Sequence, residues 1–236
     1  MDILGLITAR GGSKSIPHKN IALLAGRPLL AYTCDAARAS RRLTRTVLDT
    51  DDPAIAEVGR ACGVEVPFMR PAELARDDTL HIDVIRHALA WFQEHEGYRP
   101  EIVALLQPTS PLRRVEHIDA AVDLMITTGA DTVVSVVEVP HRFNPSSVMR
   151  LGADGRLSPF LEGPLVLRRQ DKPRVYARNG PAVLVMRWEV VESRRLYGDV
   201  VRPLEMSMAD SVDIDDTDDL AMAEFWLQRR QTTVRE

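Results

Sequence analysis

A glycine-rich basic segment near the start of the chain, residues 9–20 (ARGGSKSIPHKN), has the composition of a phosphate-binding loop. It follows the apolar run 3–7, which is typical of a buried β-strand. Its two adjacent glycines allow backbone N–H groups to approach a ligand closely. A strand that runs into such a loop favours an anion site. The segment lacks the spacing of a Walker A loop or a dinucleotide fingerprint, and a basic surface turn is the alternative interpretation. Its cations are Arg10, Lys14 and Lys19.

A pair of carboxylates near the end of the chain could bind a metal ion. In residues 211–215 (SVDID) the acidic and apolar side chains alternate, so an extended backbone places Asp213 and Asp215 on one face. Mg²⁺ takes one or two carboxylates and completes its shell with water and phosphate. We therefore predict that Asp213 and Asp215 are metal ligands and that Mg²⁺ is the cofactor. The acidic residues at 216, 218 and 219 are instead interpreted as a helix cap and first turn.

An anion-binding loop together with a carboxylate pair fits phosphoryl or nucleotidyl transfer. These reactions need little covalent chemistry from the protein and depend on in-line positioning and neutralisation of charge. Cationic side chains on the leaving phosphates and a metal on the transferred phosphorus supply that neutralisation. The sequence contains no Gly-x-Ser-x-Gly elbow and no cysteine in a setting that suggests a nucleophile, which is consistent with this chemistry.

A third segment, residues 168–180, is rich in arginine and amide side chains. Arginine is well suited to bidentate recognition of a carboxylate or phosphate. Gln170 and Asn179 add neutral hydrogen-bonding groups, so the segment suits a polyhydroxylated acidic acceptor. A solvated basic loop is the alternative interpretation. No spacing of histidine, cysteine and carboxylate residues suggests zinc.

Alternating strand and helix patterns must position these segments. The predicted strands are 3–7, 46–50, 64–68, 102–106, 132–137 and 183–186, and the predicted helices are 28–40, 53–62, 82–92, 115–128 and one that contains 221–227. This alternation implies an α/β fold with a mostly parallel sheet and helices on both faces. Ligands in such folds bind at the carboxyl ends of the strands. Segments 9–20, 49–52 and 107–113 all fall there, whereas residues 229–233 are expected to form a frayed tail.

The length and composition limit the remaining possibilities. The chain of 236 residues suits one domain, interrupted by a Pro-, Gly- and Arg-rich excursion at about 140–175 that packs on a partner subunit or lies on the surface. A formal net charge of −4 argues against a general nucleic-acid binder. We interpret the two cysteines as buried thiols of a protein in a reducing compartment. With no signal peptide or membrane-length apolar run, we expect a cytoplasmic protein without membrane contact.

The ordered set of motifs resembles the acylneuraminate cytidylyltransferase family, the CMP–sialic acid synthetases. The motifs are residues 10–14 (RGGSK) with Lys19-Asn20, residues 107–113 (QPTSPLR), Arg169-Gln170, Asn179-Gly180 and residues 211–215. The resemblance runs from about residue 3 to about residue 227. It implies a three-layer α/β/α, Rossmann-like nucleotidyltransferase fold with a protruding dimerisation element, working as a homodimer. The implied reaction joins CTP to a nonulosonic acid with Mg²⁺, giving the CMP-sugar and pyrophosphate.

The resemblance also assigns roles to individual residues. Arg10 and Lys19 would hold the triphosphate and, with the metal ligand Asp213, form the catalytic set. The sugar's anomeric hydroxyl would attack the α-phosphorus. The implied nucleotide-binding residues are Ala9, Arg10, Gly11, Gly12, Lys19, Asn20, His81 and Gln107. The implied acceptor-binding residues are Gln107, Arg169, Gln170, Arg178 and Asn179.

Several positions depart from the family pattern. Ser15 replaces a glycine, Pro181 replaces an alanine, Ala177 stands where some relatives have arginine, and His81 stands where a small hydroxyl residue is common. These changes leave the CTP and metal chemistry in place and leave the acceptor open among sialic, legionaminic and pseudaminic acids or a small phosphonate. A sugar-phosphate nucleotidyltransferase using another nucleotide, and a nucleotide-binding protein without catalysis, are the rival hypotheses.

Overall fold

The computed structural model of the chain describes residues 1–163, 165–166 and 168–233. The strands are β1 (Ile3–Thr8), β2 (Leu23–Leu24), β3 (Arg27–Pro28), β4 (Arg45–Asp49), β5 (Ile102–Leu106), β6 (Thr132–Glu138), β7 (Met149–Leu151), β8 (Leu157–Pro159), β9 (Tyr176–Arg178), β10 (Leu184–Arg187) and β11 (Val201–Glu205). The α-helices are α1 (Leu29–Arg38), α2 (Pro53–Ala61), α3 (His81–Glu96), α4 (Val115–Thr128), α5 (Trp188–Glu192) and α6 (Thr217–Thr233).

The main sheet has the strand order β11–β6–β10–β5–β1–β4, with β9 also paired to β6. β1 is parallel to both neighbours, and its Leu6 lies opposite Val47 of β4 and Leu105 of β5. β10 is antiparallel to β5 and β6, and β9 is antiparallel to β6. Within the described chain, five of the seven strands therefore run in one direction. The predicted mostly parallel sheet is confirmed.

Helices cover both faces of this sheet. Ile3 and Ile7 of β1 pack in one buried cluster with residues of α1, α2 and α4. Leu4 and Leu6 pack in another with residues of α3 and α5. Successive side chains of a strand point to opposite faces, so a strand buried on both sides reads as a continuous apolar run. The three-layer α/β/α arrangement follows, and the carboxyl ends of β1, β4 and β5 share one edge.

Two local predictions are wrong. Residues 64–68 form only an isolated bridge to β4, between Glu65 and Val47. Pro67 has no N–H to continue the hydrogen-bond ladder of the sheet. Phe68 packs in the buried cluster that contains residues of α3. The expected frayed tail at 229–233 is the last part of α6. Arg230 holds it, because its guanidinium donates to the carbonyl of Leu112 at 3.1 Å.

The excursion at about 140–175 contains the hairpin β7–β8, which is separate from the main sheet. Its apolar side chains are exposed in this chain, among them Leu151, Leu157 and Phe160. Its role as a dimerisation element stays a prediction. None of the helices in the described part of the chain is both long and apolar enough to span a membrane.

Candidate active site at the sheet edge

A cavity of about 480 Å³ lies at the carboxyl ends of β1 and β5. The glycine-rich segment, the loop after residue 74, the start of α3 and the segment after β5 surround it. The sequence-predicted residues that line it are Arg10, Gly12, Lys19, Asn20, His81, Gln107 and Asp215. Ala9 and Gly11 are absent from this lining; Ala9 is buried and its N–H donates to the carbonyl of Asp49 at 3.0 Å.

The glycine-rich segment is held against the start of α2. Asp52 caps that helix by accepting the N–H of Ala54 at 2.7 Å, as predicted. A Cβ at Gly11 would lie 2.6 Å from the fixed carboxylate of Asp52, so this position requires glycine for packing. By contrast, a Cβ at Gly12 would meet open space. The side-chain amide of Asn20 donates to the carbonyl of Arg10 at 2.8 Å and closes the loop.

The basic loop meets the acidic segment directly. The Nζ of Lys19 donates to the carbonyl of Ile214 at 2.8 Å and lies 3.4 Å from Oδ1 of Asp215. Ser15, the departure from the family pattern, donates its hydroxyl to the carbonyl of Asp215. The backbone N–H of Ile214 donates to the carbonyl of Thr109 at 2.8 Å. Two distant segments of sequence thus converge on this one short stretch of backbone.

The two predicted metal ligands differ in environment. Oδ1 of Asp213 is buried and has no hydrogen-bond partner within the described residues. Burial raises the pKa of Asp213 and the nearby charge of Asp215 adds to the rise, whereas a side-chain hydrogen bond with Thr109 and the charge of Lys19 oppose it. The Asp215 side chain is 82% exposed. A buried carboxylate oxygen without a partner, beside a second carboxylate, fits the coordination of a hard cation.

The remaining acidic residues of this segment serve the helix. Oδ1 of Asp216 accepts the N–H groups of Asp218 at 2.9 Å and Asp219 at 3.0 Å. Asp219 in turn accepts the N–H of Asp216 at 3.2 Å and that of Asp215 at 2.9 Å. This is the reciprocal arrangement of a capping box. Across the described residues, histidine, cysteine and acidic side chains form no group of three or more that could hold a metal ion. A cation here would therefore draw its other ligands from water and phosphate.

His81 lies in a chain of hydrogen bonds along the floor of the cavity. Its Nε2 is 3.0 Å from the hydroxyl of Thr8, and its Nδ1 is 3.4 Å from the amide nitrogen of Gln107. The hydroxyl of Thr109 donates to Oε1 of Gln107 at 3.4 Å, which leaves the amide nitrogen to donate to His81. Burial lowers the pKa of His81, and the charge of Arg70 lowers it further. The imidazole is therefore neutral and carries its proton on Nε2.

Arg70 is a site residue that sequence reasoning missed. It lines the cavity and is buried, and its Nε donates to the fully buried carboxylate of Asp49 at 2.7 Å. Asp49 lies at the carboxyl end of β4, within the predicted 49–52 turn. Burial raises the pKa of Asp49, and Arg70 opposes this rise. No motif or spacing marked Arg70, because its partner is 21 positions away.

Most of the predicted acceptor residues lie away from this cavity. Arg169 and Gln170 line a second cavity of about 600 Å³ together with His141, Lys172 and Arg174. Among the described residues, the two cavities share no lining residue.

The two predicted acceptor residues that follow along the chain make internal contacts. Arg178 is exposed and donates to the hydroxyl of Tyr197 at 2.8 Å. Asn179 is buried, and its amide is engaged by Ser135 at 2.6 Å and Ser211 at 2.8 Å. Within one chain, Gln107 alone of the described acceptor candidates faces the first cavity.

Comparisons with known proteins identify the family of this chain. A family model described as cytidylyltransferase matches residues 4–178. The chain is 36% identical over 233 residues to a CMP-N,N'-diacetyllegionaminic acid synthase of Legionella pneumophila, covering 98% of both chains. It is 31% identical to an N-acylneuraminate cytidylyltransferase of Escherichia coli O18:K1:H7, covering 94% of this chain and 51% of the relative. The chain thus spans about half the length of that second relative.

Solved structures share the fold. A CMP:2-keto-3-deoxy-manno-octonic acid synthetase complexed with CTP superposes with a TM-score of 0.72 at 15% identity, covering 98% of this chain and 100% of the other. A 4-diphosphocytidyl-2C-methyl-D-erythritol synthase from Anaerococcus prevotii superposes with a TM-score of 0.66 at 13% identity, covering 96% and 98%. At these identities the likeness concerns the fold alone.

Proposed function

This chain belongs to the cytidylyltransferase family, and from that premise we propose that it transfers CMP from CTP to an acidic nonulosonic sugar, releasing pyrophosphate. The observation that carries the proposal is the contact of Lys19 with the acidic segment 213–215 at the sheet edge, where Lys19 and Asp215 both line the cavity. A cation for the leaving phosphates and a carboxylate pair for a metal are the parts that this reaction needs. The full-length likeness to a legionaminic acid synthase supports legionaminic acid or a related sugar acid as the acceptor.

The basic loop would hold the triphosphate of CTP. Arg10, Lys14 and Lys19 all line the cavity and lie on the same loop. Gly12 also lines it, and a Cβ there would meet open space, so phosphate oxygens can approach its backbone. Paired cations on the β- and γ-phosphates stabilise the charge that develops as pyrophosphate leaves.

Asp213 and Asp215 would hold Mg²⁺. Their fit to the ion rests on the unpartnered buried oxygen of Asp213 and on the second carboxylate beside it. When bound, the ion supplies neutralisation and orientation of the α-phosphate. Lys19 lies within 3.4 Å of Asp215 and compensates that charge when the metal is absent. The loop and the acidic segment would then move apart slightly as ion and nucleotide bind together.

The floor of the cavity would orient the nucleotide and the acceptor. The neutral imidazole of His81 fixes the amide of Gln107 through its Nδ1. Gln107 can then present its remaining donor to an oxygen of the bound substrate. The attacking anomeric hydroxyl forms a new bond to the α-phosphorus as the bond to pyrophosphate breaks, which requires in-line placement.

The protein would act as a homodimer in the cytoplasm, where CTP is available. The exposed apolar side chains of the β7–β8 hairpin would be covered by the second copy. The basic second cavity, with Arg169 and Gln170, would help to recognise the carboxylate of the acceptor. Since this cavity is separate from the first within one chain, the acceptor residues of one copy would serve the nucleotide site of the other.

Pyrophosphate release tests the proposal. The purified protein is incubated with Mg²⁺, CTP and one acceptor at a time from a panel of legionaminic, sialic and pseudaminic acids and small phosphonates. We expect release with CTP and a nonulosonic acid, strongest with the legionaminic type. Pyrophosphate release with phosphonates, and with none of the nonulosonic acids, would show that the acceptor is a phosphonate. A preference for UTP, GTP or ATP in the same assay would favour a sugar-phosphate nucleotidyltransferase.

A further inference from the structure

One carboxylate already occupies the phosphate-binding loop of the ligand-free protein. Asp77 lies 2.7 Å from Nη1 of Arg10 and 2.6 Å from Nζ of Lys14. It belongs to residues 75–80, here called the Asp77 loop, which join the short 3₁₀ helix Ala72–Leu74 to α3. Nη1 of Arg10 also reaches the carbonyl of Ala75 at 3.5 Å. The loop therefore contacts the cavity through the same cations that would bind phosphate.

The chemistry of this contact is that of a bound phosphate. A carboxylate, like a phosphate, offers two anionic oxygens to cationic donors. The hydrogen bonds from Lys14 and Arg10 lower the pKa of Asp77, so the group is ionised at neutral pH. One carboxylate thereby pairs with both cations, and the three groups together keep a net positive charge. Asp77 is itself exposed, and its loop is otherwise held by internal bonds such as that from the N–H of Thr79 to the carbonyl of Arg76 at 3.2 Å.

We propose that Asp77 is an internal competitor that takes the place of phosphate at Arg10 and Lys14 and must be displaced by any ligand that uses both cations. The proposal rests on the function proposed above, in which this loop binds the triphosphate. The β- and γ-phosphates of CTP carry enough charge to replace the carboxylate at both cations. Competition lowers the affinity of every such ligand, pyrophosphate included, by the fraction of molecules in which the cations are free. Asp77 thus weakens the binding of pyrophosphate to the loop and returns to the cations as pyrophosphate leaves.

A fixed orienting role for Asp77 makes the opposite prediction. If the carboxylate only holds Arg10 and Lys14 in position for phosphate, its loss disorders both cations and weakens binding of every phosphate ligand. If it competes, its loss strengthens the binding of each. The sign of the change in affinity therefore separates the two roles.

Asp77→Asn and Asp78→Asn are the test and control variants. Both substitutions change the charge by the same amount on the same loop. Asp78 pairs at 3.3 Å with Arg76, another cation that lines the cavity, and within the described residues it forms no ion pair with Arg10 or Lys14. The loss of an acidic group beside a cavity cation is therefore common to both variants, and only Asp77→Asn removes the partner of Arg10 and Lys14.

Isothermal titration with CTP, CMP and inorganic pyrophosphate measures the effect. Since exposed ion pairs are individually weak, we expect Asp77→Asn to bind CTP and pyrophosphate about two- to tenfold more tightly than wild type. Binding of CMP, which lacks the β- and γ-phosphates, should change less, and Asp78→Asn should stay within about twofold of wild type. Unchanged or weaker binding by Asp77→Asn, or an equal gain in Asp78→Asn, overturns the proposal.

The outcomes also separate this proposal from the proposed function. A gain in pyrophosphate affinity without any binding of CTP would support competition by Asp77 and refute the cytidylyltransferase site. Binding of CTP without a gain in affinity in Asp77→Asn would support the nucleotide site and refute competition by Asp77. If neither protein binds any of the three ligands, both proposals fail.

Discussion

Replacing Asp213 by asparagine should stabilise the ligand-free protein while abolishing its activity. Oδ1 of Asp213 is buried without a hydrogen-bond partner in the described chain, and a second carboxylate lies beside it. Such an arrangement costs folding free energy, which Lys19 and Thr109 offset in part and a bound cation would offset further. Asp213→Asn keeps the shape of the side chain and removes the charge. The substitution therefore separates what the residue does for stability from what it does for the reaction.

The size of the stabilisation follows from the contacts. A buried polar group without a partner costs about 1–3 kcal/mol. The asparagine amide is still polar, so we expect the free energy of unfolding to rise by the lower end of this range, about 1 kcal/mol. For a chain of 236 residues this raises the Tm by about 2–4 °C. Because a proposed ligand of the metal ion is lost, pyrophosphate release should fall about a hundredfold or more.

Thermal unfolding in EDTA and in Mg²⁺ provides the assay, with Asp215→Asn as the matched control. The Asp215 side chain is 82% exposed, so its substitution should change stability by less than about 0.5 kcal/mol. Both variants should lose the stabilisation that Mg²⁺ with CTP gives the wild type. A fall in the Tm of ligand-free Asp213→Asn, or an equal rise in both variants, would refute the reasoning from burial.

Three further outcomes are expected. Asp49→Ala leaves the buried cation of Arg70 without its carboxylate partner and should destabilise the protein by about 3–5 kcal/mol in urea. The double variant with Arg70→Met should recover part of this stability. No recovery would contradict the ion-pair argument. Because folding lowers the pKa of His81, the unfolded chain binds more protons below about pH 6.5. The Tm should then fall less from pH 7 to pH 5 in His81→Gln than in wild type, and parallel curves would exclude the effect. Light scattering should show a dimer that Leu151→Lys with Leu157→Lys converts to monomer, whereas an unchanged mass would show that the hairpin is not the interface.

Local patterns predicted the elements whose determinants are local. β1 and β5 are apolar on both faces because both faces are covered, and Asp52-Pro53 gives the start of α2 by capping alone. The failures came from non-local causes. The bridge at Glu65 ends at Pro67, and α6 extends past residue 229 because Arg230 reaches the carbonyl of Leu112, 118 positions away.

The same limit applies to the site. Motifs mark residues that belong to a site without distinguishing those that face the ligand from those that support it. Asn179 was predicted to face the acceptor, yet its amide joins Ser135 of β6 to Ser211, ahead of the acidic segment. Arg70 and Asp77 belong to no motif, and only the folded chain brings them to the cations and strand ends that they contact.

Ile214 shows how the three motifs form one site. The alternation that turns Asp213 and Asp215 to one face turns Ile214 to the other, where it is fully buried with Ile16 and Leu112. Its N–H donates to the carbonyl of Thr109, and its own carbonyl accepts Nζ of Lys19. Ile214, between the two carboxylates, thus joins the acidic segment to the basic loop and to the segment after β5. It does so by side-chain packing and by backbone hydrogen bonds. A shift of one residue would take the isoleucine out of this apolar cluster and turn a carboxylate into it.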